Sequence, residues 1–177
     1  MGTPTDQIRS WTRTIGDTVY TCSADPSLIQ LDALNAAFAS DMIWWAKPLG
    51  GEELKTMARN SLCFGIYASD GRTTGEAKPM IAFARLITDY VTFGYLTDVY
   101  VLPPHQERGL GRWLMVCLNE MLDSWPSLRR CVLFTGDAHA VKLYEQTLGM
   151  SDVRNASSNL IIMQKMGRVG APEKPSS

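Results

Sequence analysis

The chain has little that would build a metal site. It has four cysteines and two histidines in 177 residues. Cys22, Cys63, Cys117 and Cys131 lie far apart, form no Cys-x-x-Cys pair, and have only His105 and His139 as further ligands. That pattern argues against zinc and against a disulfide framework; it reads as reduced thiols packed as small hydrophobes. No metal is expected. No apolar run is long enough to span a bilayer. The first thirty residues are polar and broken by Pro4, Gly16 and Pro26, so no secretory signal is read there and a cytoplasmic protein is expected. Charge of one sign is missing too, since 17 basic and 18 acidic residues leave a net charge of −1. Nothing global draws the chain to nucleic acid or to an anionic membrane. There is no Gly-Lys-Ser/Thr of a triphosphate-hydrolysing loop, and the first glycine of a dinucleotide fingerprint is absent.

What remains is a globular composition, 45% hydrophobic and 20% charged, on a length that suits one domain with a core. Residues 1–16 read as a flexible lead-in, 17–166 as the domain and 167–177 as a disordered tail. Thr18–Cys22 reads as a strand. Asp25-Pro26-Ser27 offers a helix start, followed by Leu28, Leu31, Leu34, Ala37 and Phe38 at helical spacing. A second helix runs from Glu52 to about Asn60. Leu62–Ala68 and Pro79–Thr88 pair as a hairpin, and Tyr95–Leu102 is a further strand. The spacing of Leu110, Trp113, Leu114, Cys117, Leu118, Met121, Leu122 and Trp125 marks a long helix stopped before Pro126. Arg130–Thr135 is a strand, Ala138–Leu148 a helix closed by Gly149, and Leu160–Met166 a last strand. A strand–helix–strand crossover makes Tyr95–Leu102 and Arg130–Thr135 parallel neighbours in an otherwise largely antiparallel sheet.

The densest signal is Val99-Tyr100-Val101-Leu102-Pro103-Pro104-His105-Gln106-Glu107-Arg108-Gly109-Leu110-Gly111-Arg112. A strand ends, a proline-stiffened turn follows, and a glycine-spaced loop opens into the long helix. A helix N-terminus carries unpaired N–H groups and the positive end of its dipole, which together suit phosphate. Glycines allow a ligand close to the backbone. On spacing alone, a structural turn accounts for the pattern equally well.

The constellation Val-x-Leu-Pro-x-x-Gln-x-x-Gly-x-Gly, with Leu143-Tyr144-Glu145 and Leu148-Gly149-Met150 following, resembles the GNAT superfamily of acyl-CoA N-acyltransferases. The resemblance covers most of the chain, and its specific part is residues 95–150. It implies an α/β (α+β) fold with a mixed, mostly antiparallel sheet of about six to seven strands flanked by about four helices. It implies acetyl-CoA as acyl donor, with Gln106, Glu107, Arg108, Gly109, Leu110, Gly111 and Arg112 around its pyrophosphate. Val99, Tyr100 and Val101 would offer main-chain groups to the pantetheine arm and the thioester carbonyl. A fixed N–H there stabilises the charge of the tetrahedral intermediate more than that of the ground state. Tyr144 occupies the position of a general acid for the departing thiolate. Asp137 reads as a helix cap that also lies near the cofactor.

The carboxylate many relatives use as base is absent, because Thr97 stands in its place. Asp98 is one candidate base, although alternation sends it to the opposite face from Thr97 and Val99. A water relayed through Thr97 or Tyr95 is another, and Asp89 and Tyr90 lie near. Trp44, Trp45, Tyr90 and Tyr95 are the expected acceptor walls, suited to an ammonium by cation–π attraction or to a flat apolar group. The expected activity is acetyl transfer to a small primary amine, by a monomer or homodimer, without nucleic acid or membrane partners. Protein or peptide acetylation and non-catalytic acyl-CoA binding are the alternatives.

Overall fold

The computed structural model describes residues 4–69, 78–155 and 163–165. Among them a six-stranded sheet runs in chain order: β1 (Ser10–Ile15), β2 (Thr18–Ser23), β3 (Leu62–Ser69), β4 (Met80–Thr88), β5 (Phe93–Val101) and β6 (Arg130–Val132). Neighbours are antiparallel from β1 to β5, and β5–β6 is parallel, as the crossover requires. The helices are α1 (Leu31–Phe38), α2 (Gly51–Arg59), α3 (Leu110–Asp123) and α4 (Ala138–Leu148). This is the mixed α/β architecture that the sequence implies.

Each sheet face carries its own core. On one, the α3 stripe of Leu110, Leu114, Cys117, Leu118 and Met121 packs on Tyr20, Cys22, Phe64, Ile66, Ala84, Leu86 and Leu96, with α4 residues at the margin. On the other, Leu34, Phe38, Ile43 and Leu54 cover Cys63, Tyr67, Met80, Phe83 and Tyr100. Burial of Cys63 pushes its thiol up to about 12, and burial of Cys131 pushes it to about 11, so both are inert packing groups.

Three expectations change. The lead-in over residues 1–16 is a strand over Ser10–Ile15, turned into β2 at Gly16 (φ 58°). Its polar composition suits an edge strand, where only one face packs. Two indole N–H groups anchor it: Trp11 Nε1 donates to Glu120 Oε2 at 2.6 Å, and Trp125 Nε1 donates to Gln7 Oε1 at 2.6 Å. The helix start at Asp25 is a separate 3₁₀ turn (Pro26–Leu28), in which Asp25 Oδ1 accepts from the Ser27 N–H. Ile29 is extended (ψ 118°) and breaks the helix before Leu31. β6 ends at Val132 rather than Thr135. The expected strand Leu160–Met166 lies mostly outside the described residues, and Met163–Lys165 carry no regular structure.

The turn before β5 is tied by one side chain. Asp89 Oδ1 accepts from the N–H groups of Val91, Thr92 and Phe93, and Oδ2 accepts from the Thr92 hydroxyl. The Thr92 hydroxyl and these N–H groups hold the Asp89 carboxyl well below the usual range. A depressed carboxyl contributes stability above its unfolded pKa and loses it as pH falls through the folded value. Asp89→Ala should therefore lower Tm at pH 7, and the gap to wild type should narrow as pH falls below about 4; a gap independent of pH would refute the assignment. Leu114, fully buried under the sheet, should cost about 2–5 kcal/mol as Leu114→Ala. The exposed Val116 should cost less than about 0.5 kcal/mol as Val116→Ala, both read by urea denaturation.

Candidate active site

β5 and β6 pair only over Phe93–Tyr95 and Arg130–Val132. β6 then stops while β5 continues to Val101. From Leu96 onward, the β6-side edge of β5 has no ladder partner among the described residues. Main-chain donors and acceptors there are open to an extended ligand.

Within that stretch β5 carries a bulge. Arg85 lies opposite Thr97 and Phe83 opposite Tyr100, so β5 spends one more residue than β4. The extra residue falls at Asp98, whose φ of 53° is left-handed and costs on the order of 1 kcal/mol. The bulge overturns simple alternation. Asp98 is only 5% exposed and sits on the same face as Thr97, whose Oγ1 donates to Asp98 Oδ1 at 3.2 Å. Val99 and Val101 turn to the α3 side. Tyr100 goes to the other face, against Phe83 at 5.9 Å. Asp98 Oδ2 accepts from Arg85 Nε at 2.7 Å, and Oδ1 also accepts from Trp45 Nε1 at 3.3 Å. Arg85 was not legible as a site residue, although it is the one charge in the apolar run of β4.

Beyond the strand, a 3₁₀ turn (Pro103–His105) leads to the glycine loop. Gln106 Nε2 donates to the Val101 carbonyl at 2.8 Å and so braces the loop on β5. Glu107 (φ 62°) and Gly109 (φ 70°) both take left-handed conformations that swing the chain into α3. No side chain caps α3, so the N–H groups of Leu110, Gly111 and Arg112 are the orphan donors of its first turn. A Cβ at Gly109 would meet nothing within 4 Å, and one at Gly111 would meet Val101 Cγ2 at 3.7 Å. The space in front of these donors is clear. Leu110 itself is core, so it can offer only its backbone. Arg108 reaches back to the Tyr20 hydroxyl (3.1 Å) and Arg112 to Gln146 Oε1 (2.8 Å), which ties α3 to β2 and α4.

Tyr144 projects from α4 onto the α3-side core and is half-buried. Its hydroxyl makes no hydrogen bond with the described residues. Burial, then the charge of Asp137, raises its pKa above the ordinary phenol value. Asp137 caps α4, its Oδ1 accepting from the His139 N–H at 2.8 Å.

Three of the four expected acceptor-wall residues lie in two separate aromatic pairs. Trp44 meets Trp45 edge-on at 5.7 Å, and Tyr95 packs on Phe134 at 5.5 Å. Tyr90 does not join them. Its φ of 62° turns the ring onto Trp125, 6.2 Å away on the α3 side. Phe134 is an addition that the spacing hid, because β6 was read as running straight through it. Among the described residues no group of three or more His, Cys, Asp or Glu could hold a metal ion.

Comparison with known proteins agrees with this geometry. A protein of Gibberella zeae named as a candidate acetyltransferase is 47% identical over 156 residues, covering 82% of this chain and 85% of its own. The crystal structure of a candidate GNAT acetyltransferase from Xanthomonas campestris pv. campestris superposes with a TM-score of 0.67 at 29% identity, covering 89% of this chain and 97% of that one. Arabidopsis thaliana NAA60, solved with a bisubstrate analogue, shares the fold at a TM-score of 0.53 and 16% identity, over 78% of this chain and 83% of its own. The family model described as Acetyltransferase (GNAT) family matches residues 31–150, and the chain belongs to that family.

Proposed function

We propose that the protein transfers the acetyl group of acetyl-CoA to the primary amine of a small, largely apolar acceptor. The observation that carries the reading is the continuity of the open β5 edge with the uncapped start of α3. One offers main-chain pairing to an extended arm, and the other offers three N–H donors to a pyrophosphate. The donor supplies an activated acyl group. A main-chain N–H on the unpaired edge of β5 beside the bulge, within Val99–Val101, holds the developing oxyanion. Tyr144 stays protonated through neutral pH and donates to the leaving sulfur. Both oxygens of Asp98 are already engaged, so it shapes the strand rather than removing a proton. Thr97 donates to Asp98, which leaves its oxygen lone pairs to hold a water that relays the proton of the incoming amine to bulk solvent. Alignment of two bound reactants supplies much of the rate.

The acceptor class follows from the aromatic wall. Ile87, Phe93 and Phe134 are exposed, Phe134 by 67%, along the sheet face that also carries Tyr95 and Thr97. The neighbouring carboxylates are committed, Asp98 to Arg85 and Asp89 to its own turn. A polycation finds no free counter-charge in them, whereas a flat arylalkyl amine finds stacking surface.

Thiol release from acetyl-CoA should therefore be fastest with arylalkyl amines, slower with polyamines and slowest with basic peptides. Turnover with peptides alone would move the acceptor to proteins; coenzyme A binding without turnover on any amine would favour a non-catalytic role. Tyr144→Phe should lower kcat by roughly 10²-fold. The phenol contributes only while protonated, so the ratio of wild type to variant should hold from neutral pH to about 9 and shrink above about 10. Gly111→Asp should keep the fold, since the added side chain has room and an acid suits a first helical turn. It should abolish coenzyme A binding in calorimetry by setting a carboxylate against the pyrophosphate.

A further inference from the structure

We infer that Arg85 and Trp45 are positioning residues for acetyl transfer: through Asp98 they hold the β5 bulge that aims the oxyanion donors and fix the acceptor wall to it. The inference rests on the functional reading above and concerns residues that touch neither reactant's reacting atoms.

An aspartate in a left-handed conformation needs external support to stay there. Three side-chain donors supply it from three directions. Arg85 donates Nε from the neighbouring strand, at the register position opposite Thr97. Trp45 donates its indole N–H from the segment after the 3₁₀ turn Asp41–Ile43. Thr97 donates from the preceding residue. Arg85 is itself steadied, with Nη1 3.4 Å from Ser61 Oγ at the start of β3. The Arg85–Asp98 pair is 14% and 5% exposed. A buried carboxylate of this kind is tightly dependent on its partner, because the ion left behind has no water to turn to.

The geometry makes the network more than packing. If the bulge relaxed, ordinary alternation would return Val99 to the Thr97 face and turn the β5 edge groups through half a turn of pleat. Trp45 bonds the same carboxylate oxygen as Thr97. The acceptor wall and the strand that faces the thioester are thus registered to each other by a single carboxylate. Displacements well under the length of a bond matter at this point, since a misplacement of about 1 Å can cost 10²-fold in rate.

A double-mutant cycle tests the inference. Glycine takes a left-handed φ unaided, so Asp98→Gly removes the need for support. Arg85→Met in the wild-type background should lower kcat by about tenfold or more at saturating acetyl-CoA, with partial rescue in Arg85→Lys. In the Asp98→Gly background, Arg85→Met should change kcat less than about twofold. Equal losses in both backgrounds, or a loss of Tm with kcat per folded molecule intact, would overturn the inference. Trp45→Phe keeps an aromatic ring while removing the N–H and part of the indole's bulk, so it serves if Arg85→Met does not fold. Its loss of kcat should likewise vanish in the Asp98→Gly background. Amide exchange at Tyr100, whose N–H faces β4 just after the bulge, reads the bulge without turnover: it should quicken in Trp45→Phe, and unchanged protection there would count against the inference. An inactive wild type with this exchange response would instead remove the functional reading and leave the bulge support standing.

Discussion

One extra residue in β5 sets the rest of the site. Because Asp98 is left-handed, side chains before and after it change faces. Leu96 packs under α3, yet Tyr100, four residues on, packs under the α1 and α2 layer. Both cores are therefore sealed by the same strand, and the crossing point is where that strand is free of β6.

The charges follow from the same constraint. A carboxylate is useful at the bulge because Asp tolerates a positive φ better than most side chains, and it can accept several hydrogen bonds at once. Its burial then demands a cation, and Arg85 meets that demand from the adjacent strand. Among the described residues the one buried ion pair, Arg85–Asp98, supports backbone geometry, while burial raises the phenol pKa of Tyr144 above its ordinary value.

Much of this was legible in the residues. The α3 stripe, the loop from Gln106 to Arg112, the α4 helix with its Asp137 and Gly149 ends, and the parallel join all rest on short-range rules of spacing and capping, which local sequence encodes. What escaped depends on contacts between distant segments. β1 looked like a loose leader because its ties, Trp11 to Glu120 and Gln7 to Trp125, reach more than a hundred residues along the chain. The side of Asp98 was misread because a period of two is blind to a bulge. The placements of Tyr90 and Phe134 also escaped, one turned away by a positive φ and the other exposed where β6 stops short. Arg85 could have been noticed as a solitary cation in an apolar strand, which must find an anion somewhere.

The joins of the sheet differ in how firmly they are sewn. β1–β2, β3–β4 and β4–β5 link segments close in sequence, and β2–β3 spans α1 and α2 but is matched over five residue pairs. The β5–β6 seam spans α3 and is matched over only three. It combines a long closing loop with the fewest bonds, so it is the join whose opening is easiest. The open β5 edge thus lies at the loosest seam of the sheet, between a well-sewn five-stranded meander and a strand that arrives with its own helix.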